Sequence, residues 1–436
     1  VFTDIVALEP RDLPGVVYDR DATGELDPTL IGESVGLLNI RSVYDIDGVD
    51  TAVPDIATLA DPAQTLAGAR PARFLRIVKA VSIPDDDTRD FANTAFGRSA
   101  AQGMREIIGY VPIEPDGSVI AKVPADVALA ISVVDARGRR TSPRHRNWLQ
   151  VRPGDTLSCT GCHETGTGES HGRADAFNSA YAGALTTSAP FPNTDPAIFA
   201  DFGETMAEAR ARISCATDCA AITPSVDVVY VDVWTDEIAA GRLKDASFSL
   251  TYQDLDTTAP ATLACQADWS NRCRTVINYE THIHPLWNLP RLAADNVTDI
   301  TCTSCHNNRD AMGVLQVPAG QLELTDGPSV EQPDHFLSYR ELLFADNEQE
   351  LVMGALQDRL IQIGIDPDTG DPILVPVSVG RPMSTAGALA SGAFFNRFAA
   401  GGTHENYLTD HELRLIAEWL DIGGQYFNNP FDAPLN

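Results

Sequence analysis

Basic side chains are scarce in this chain. Lys and Arg number 31 against 61 Asp and Glu, a net charge of −30. Such a surface repels nucleic acid and anionic lipid, so neither is expected as a partner, whereas solubility and basic partners are favoured. The balance suits an acidic exported or salt-adapted protein. No run of about 18 apolar residues occurs, so no membrane span is expected. Aromatic residues make up only 7%. That offers no evident stacking platform, which counts against a carbohydrate- or surface-binding module. The first stretch, VFTDIVALEP, has no basic segment followed by an apolar one. Either the protein is not exported or its signal has been removed. No repeat of 20–50 residues is found.

At 436 residues the chain predicts two to three domains. Hydrophobic residues at 44% and charged residues at 21% are ordinary for packed cores. Acidic turns and short apolar runs such as VGLLNI fill residues 1–69, an irregular or β-rich segment. ARFLRIVKAVSIP reads as a strand. IIGYVPIEPDGSVIAKVPA reads as two strands joined by the turn 115–118, and VALAISVVDARG as another. Residues 70–155 are therefore expected to form a small antiparallel unit. Further on, TMAEARARIS predicts a helix, while SVDVVYVDVW and ASFSLTYQDL predict strands. The tail changes character. YRELLFADNEQELVMGAL and LTDHELRLIAEWLDIGG carry i, i+3, i+4 apolar spacing, and Thr409-Asp410 followed by Glu412 is a helix start. The expected class is α+β multidomain: a β-rich middle domain over 70–275, then a mostly helical domain over 276–436.

Eight cysteines are present, and four of them fall in two identical patterns. LSCTGCHE places Cys159, Cys162 and His163 together; ITCTSCHN places Cys302, Cys305 and His306. Cys-x-x-Cys serves as a redox dithiol, as half of a zinc site, or as a haem attachment when His follows at once. In the third use, two thiols add to the vinyl groups of one porphyrin edge and the adjacent His ligates the iron. At this composition, a chance C-x-x-C-H arises about 0.003 times per chain, so two together point to haem c. A zinc site would not need a His after each pair, and a thioredoxin-type motif normally occurs once. Two covalent haems are thus expected, one in each domain. Covalent attachment occurs outside the cytoplasm, which places the protein in the periplasm or beyond the cell and accounts for the missing signal.

The remaining cysteines, Cys215, Cys219, Cys265 and Cys273, are expected as two disulfides in an oxidising compartment, with three connectivities open. For the far face of each iron, seven other histidines are available. His171 follows His163 through a glycine-rich loop long enough to wrap a porphyrin edge, and His145 is its rival. His282 and His284 alternate in YETHIHPLW, so both could face a haem from an extended strand. His404 lies on a loop before a helix, a natural place for a ligand of the second iron, whereas His411 is expected to be solvated. Met206, Met312, Met353 and Met383 are further candidates, although methionine more often fills cores. The loops DIDGVD (45–50) and DPDTGD (366–371) carry oxygen ligands at calcium-like spacing. Neither completes an EF-hand, so solvated turns are expected there in place of calcium.

GYVPIEPDGSVIAKVPADVALAISVVDARG followed by VRPGDTLSCTGCHE resembles the middle region of the hydrazine synthase alpha-subunit family. INYETHIHPLW, TCTSCH and the ending LTDHELRLIAEWLDIGGQYFNNPF resemble its C-terminal cytochrome-like domain. This resemblance implies a β-rich domain with the first haem, a helical cytochrome c-like domain with the second, and bis-histidine ligation there through His404. Two departures are visible. The family's hydrazine-forming member has an N-terminal propeller not seen in this sequence. It also has a tyrosine four residues after the first motif His, where Thr167 stands here.

The resulting expectation is an exported dihaem c-type cytochrome that passes electrons to redox partner proteins, or to copies of itself through haem edges. The alternative is a haem oxidoreductase acting on a small nitrogen or peroxide species at the first haem.

Overall fold

The computed structural model describes residues 26–164 and 177–436. Six strands form the two sheets of its front half: β1 (Val35–Ile40), β2 (Phe74–Ala80), β3 (Arg105–Pro112), β4 (Val119–Pro124), β5 (Leu129–Val134) and β6 (Thr156–Cys159). Most are short runs of aliphatic and β-branched residues bounded by turn formers. They make two three-stranded sheets. β2 lies between β3 and β5, antiparallel to both, with Phe74 opposite Pro112 and Val134. β1 lies between β4, antiparallel, and β6, parallel.

The period of two along β2 explains how the sheets stack. Leu75 and Ile77 point to one side and join Leu38, Ile40, Val111, Val119 and Val123 in a core between the sheets. Phe74 and Val78 point the other way, into a second core shared with the C-terminal part. β2 is therefore covered on both faces.

The strands expected over 70–134 are all present, but β3 and β4 do not pair with each other. The turn 115–118 is a corner between the two sheets. Asp116, fully buried, accepts hydrogen bonds from the backbone N–H groups of Ser118 at 2.9 Å and Met206 at 2.8 Å. A carboxylate fixed in this way anchors the crossing.

α1 (Met206–Ser214) starts where expected, with Thr205 and Glu208 forming a capping box. β7 (Val228–Tyr230) and β8 (Phe248–Leu250) pair antiparallel. The disulfides are Cys215–Cys219 and Cys265–Cys273, both local.

The C-terminal region departs from expectation. α2 (Leu337–Leu343) ends well short of the predicted helix. Beyond it come the hairpins β9 (Gln349–Val352) with β10 (Ala355–Asp358), and β11 (Leu360–Ile365) with β12 (Pro372–Pro376). Met353 and Gly354 adopt φ of 53° and 82°, a tight turn that a helix cannot contain. Among the described residues of 276–436, only two helices, α2 and α3 (Asp410–Ile422), exceed five residues, so the region is not mostly helical. The predicted start of α3 is correct: Thr409 and Glu412 form a capping box. Ten of its 13 residues are buried. Its apolar face packs with Phe74, Tyr110, Tyr279 and Tyr339. Its charges are matched: Arg414 pairs with Glu418 at 2.8 Å, and Glu418 also accepts from the hydroxyls of Tyr110 and Tyr252.

Candidate functional site

Strand β6 delivers the first cysteine motif. Cys159, its last residue, lies opposite Ile40 of β1. The chain after β1 then wraps the motif through backbone hydrogen bonds. Arg41 N–H donates to the Cys159 carbonyl at 3.0 Å, Cys162 N–H to the Asp45 carbonyl at 2.8 Å, and Asp47 N–H to the Cys162 carbonyl at 3.1 Å. Gly161 sits so close that a Cβ there would come 2.2 Å from the Asp45 carbonyl oxygen. The loop 45–50 was expected to be a solvated turn, and it is instead the cradle of the motif. Asp45 is fully buried, and its carboxylate accepts from Gly48 N–H at 2.8 Å and Ala180 N–H at 2.7 Å. Nothing local in DIDGVD signalled this role, because the contact spans more than 100 residues. The loop 366–371 is the exposed tip of the β11–β12 hairpin, with Asp366 accepting from the N–H groups of Asp368 and Thr369.

The second motif is one helical turn, Cys302–Cys305. Asp299 fixes it by accepting from Thr301 N–H at 2.9 Å and the Ser304 hydroxyl at 2.5 Å. His306 N–H donates to the Cys302 carbonyl at 2.9 Å. None of the four motif cysteines is in a disulfide. Burial pushes both Cys162 and Cys302 up to about 11, opposite to the shift of a thioredoxin-type nucleophile.

Each motif histidine faces a second imidazole. The rings of His163 and His145 have centroids 6.3 Å apart, and those of His306 and His404 are 6.0 Å apart. A metal–imidazole bond is about 2 Å, so two rings sharing one metal ion have centroids roughly 6 Å apart once half a ring is added on each side. Hydrogen bonds orient the rings as well. Nδ1 of His163 lies 3.2 Å from the Glu164 carbonyl oxygen, and Nδ1 of His306 lies 3.1 Å from that of Leu322. A carbonyl only accepts, so Nδ1 carries the proton and the lone pair is on Nε2 in both. Nδ1 of His404 is 2.8 Å from the Thr403 hydroxyl. Burial holds His145, His306 and His404 below the usual histidine value, keeping their rings neutral and able to ligate. Among the described residues, no three His, Cys, Asp or Glu side chains converge as a bare-metal site would require. Two thiols and a facing pair of imidazoles at each place fit a haem c.

Other candidates are placed elsewhere. The stretch Tyr279–Ile283 is a π-helical turn followed by a helical turn at Pro285–Asn288, not an extended strand, so the alternation of His282 and His284 is lost. His282 accepts from Asn278 N–H at 3.0 Å. His284 has both ring nitrogens engaged, with Ser338 at 3.1 Å and Asn288 at 3.0 Å. His335 contacts the Thr94 carbonyl at 2.7 Å, and His411 accepts from Thr251 N–H at 3.1 Å. Met206 and Met383 are core residues, whereas Met312 and Met353 are exposed. His171 and Thr167 lie outside the described residues.

Residues 71–164 match the family model of the hydrazine synthase alpha subunit middle domain, from β2 through the first motif. Among solved structures, hydrazine synthase of Kuenenia stuttgartiensis is similar at 18% identity and a TM-score of 0.45, covering 92% of this chain and 45% of that one. The chain thus spans less than half the length of that structure. No curated protein matches.

Proposed function

We propose that this protein is an exported dihaem c-type cytochrome that transfers electrons. Cys159 and Cys162 would attach one haem, with His163 and His145 as axial ligands. Cys302 and Cys305 would attach the other, with His306 and His404. The carrying observation is the pair of facing imidazoles at each CxxCH motif. Haem supplies a one-electron couple, and a strong ligand on both faces leaves no position for substrate. The chain's part is to fix the tautomers through Glu164 and Leu322 and to hold the rings half-buried. Export accords with the two disulfides, and no helix among the described residues is long and apolar enough to cross a membrane. Redox proteins, or further copies of this chain meeting haem edge to haem edge, are the proposed partners. Residues 70–275 would hold the first haem and 276–436 the second.

Optical and EPR spectra of the oxidised holoprotein, with and without cyanide, test the reading. Two low-spin haems that resist cyanide are expected. The family match at the first motif favours one second reading, a haem oxidoreductase acting there on a small nitrogen or peroxide species. Rapid cyanide binding at the first haem of the untouched protein would establish it in place of the carrier.

A further inference from the structure

The segment that carries His145 has no helix or strand between 141 and 148. Its backbone is fixed instead by a strap of arginines on the end of α3. Arg140 N–H donates to Asp421 Oδ2 at 2.8 Å, and the Arg140 guanidinium donates to the carbonyls of Ser142 and Ala386. Arg144, next to His145, donates to the Thr385 carbonyl at 2.6 Å and twice to the Asp421 carbonyl, at 3.2 and 3.3 Å. Arg105 reaches the His145 carbonyl at 3.4 Å and stacks 4.9 Å from the ring centroid of Trp148. From the sheet side, Arg76 pairs with Asp421 at 2.8 Å. Asp421 is 3% exposed and Arg140 8%. Gly387 makes room, since a Cβ there would lie 2.6 Å from Asp421 Oδ1.

Such a cluster is an expensive way to gain stability. Desolvating a carboxylate and several guanidinium groups can outweigh their attraction, and apolar packing of equal volume often does as well. What the cluster does supply is direction: planar guanidinium forks tie the main chain beside His145 to fixed carbonyls. The other end of α3 is latched in the same style. Glu412, in its first turn, accepts from both terminal nitrogens of Arg291 at 3.1 and 2.5 Å, and Arg291 N–H donates to the hydroxyl of Thr301, the residue before Cys302. His404 lies six residues ahead of α3. Thirteen helical residues make a rod of about 20 Å.

We propose that the C-terminal end of α3, through Arg140 on the Asp421 carboxylate and Arg144 on the Asp421 carbonyl, positions His145 and so sets the second axial imidazole of the first haem. The proposal rests on the axial role of His145 given above. It is tested in the full-length holoprotein with Arg144→Gln, Arg144→Lys and His145→Ala. EPR and cyanide titration are read at the first haem, with the low-spin signal of the second as internal control. Arg144→Gln should make the first haem partly high-spin and raise its cyanide affinity at least about tenfold, a change near 1.4 kcal/mol. Arg144→Lys, which keeps the charge but not the planar fork, should restore only part of the low-spin signal, and the second haem should not change. If His145→Ala opens the first haem while Arg144→Gln leaves it low-spin and closed, the strap does not position the ligand. If His145→Ala leaves that haem low-spin, the axial reading itself fails and the proposal with it. Loss of both low-spin signals in Arg144→Gln, repeated in Arg140→Gln, would mark a merely structural cluster and overturn the proposal.

Discussion

A single methyl group probes the first motif. Gly161 packs against the Asp45 carbonyl with no space for a Cβ, and backbone at 2.2 Å cannot rotate away as a side-chain tip would. Gly161→Ala should therefore force the loop 45–50 off the motif and destabilise the protein by about 1–3 kcal/mol, the usual range for overpacking. Chemical denaturation measures the loss, and unchanged stability would show that the loop yields freely. His404 is the complementary probe. If the protein is the proposed dihaem cytochrome, His404→Ala should turn the second haem partly high-spin and open it to cyanide, leaving the first unchanged. An unaltered spectrum would place another ligand on that iron. At this scale, the sequence was legible where chemistry fixes spacing. Two thiols and a histidine in C-x-x-C-H can be read without a fold. Facing partners cannot, because His145 meets His163 through tertiary packing, and an i, i+2 pair such as His282 and His284 implies one side only if the backbone is extended.

Among the elements, α3 was readable because its capping box and apolar face are local. The hairpins after α2 were not. Their aliphatic residues satisfy a helical spacing too, and the decision rests on the turn at Met353 and Gly354. A test of this junction comes from Glu341 in α2. Burial, reinforced by Asp346, pushes its carboxyl up to about 8 from 4.5. The folded state therefore holds a proton there that the unfolded chain releases. This contribution is complete below about pH 4.5 and is lost as pH rises through 8, so stability should fall across that window. Glu341→Gln should flatten the fall, matching the native protein near pH 4 and exceeding it at pH 8. Thermal unfolding at both values checks this, and parallel curves for the two proteins would refute it. The α3 cap offers a second measure: Thr409→Ala should cost about 0.5–2 kcal/mol, again by denaturation.

For the whole molecule, packing crosses the division expected at residue 275. The larger core runs from Ala67 to Ala433 and joins Phe74, Ile107 and Tyr110 of the sheet to Leu415, Trp419 and Leu420 of α3. Charges cross the same boundary. Arg76 of β2 reaches Asp421 of α3, while Tyr110 of β3 and Tyr252 reach Glu418. Removed from the sheet, α3 would expose its apolar face and leave Glu418 and Asp421 without these partners, a penalty of several kcal/mol that a piece with so little other regular structure has no means to offset. The segment 276–436 expressed alone should therefore lack a cooperative unfolding transition, even with haem attached at Cys302 and Cys305. In the intact protein, α3 and β2 should exchange amide hydrogens with the same protection, since they open together. Sharp thermal unfolding of the isolated segment, or β2 amides exchanging far faster than those of α3, would show that the two halves are independent domains.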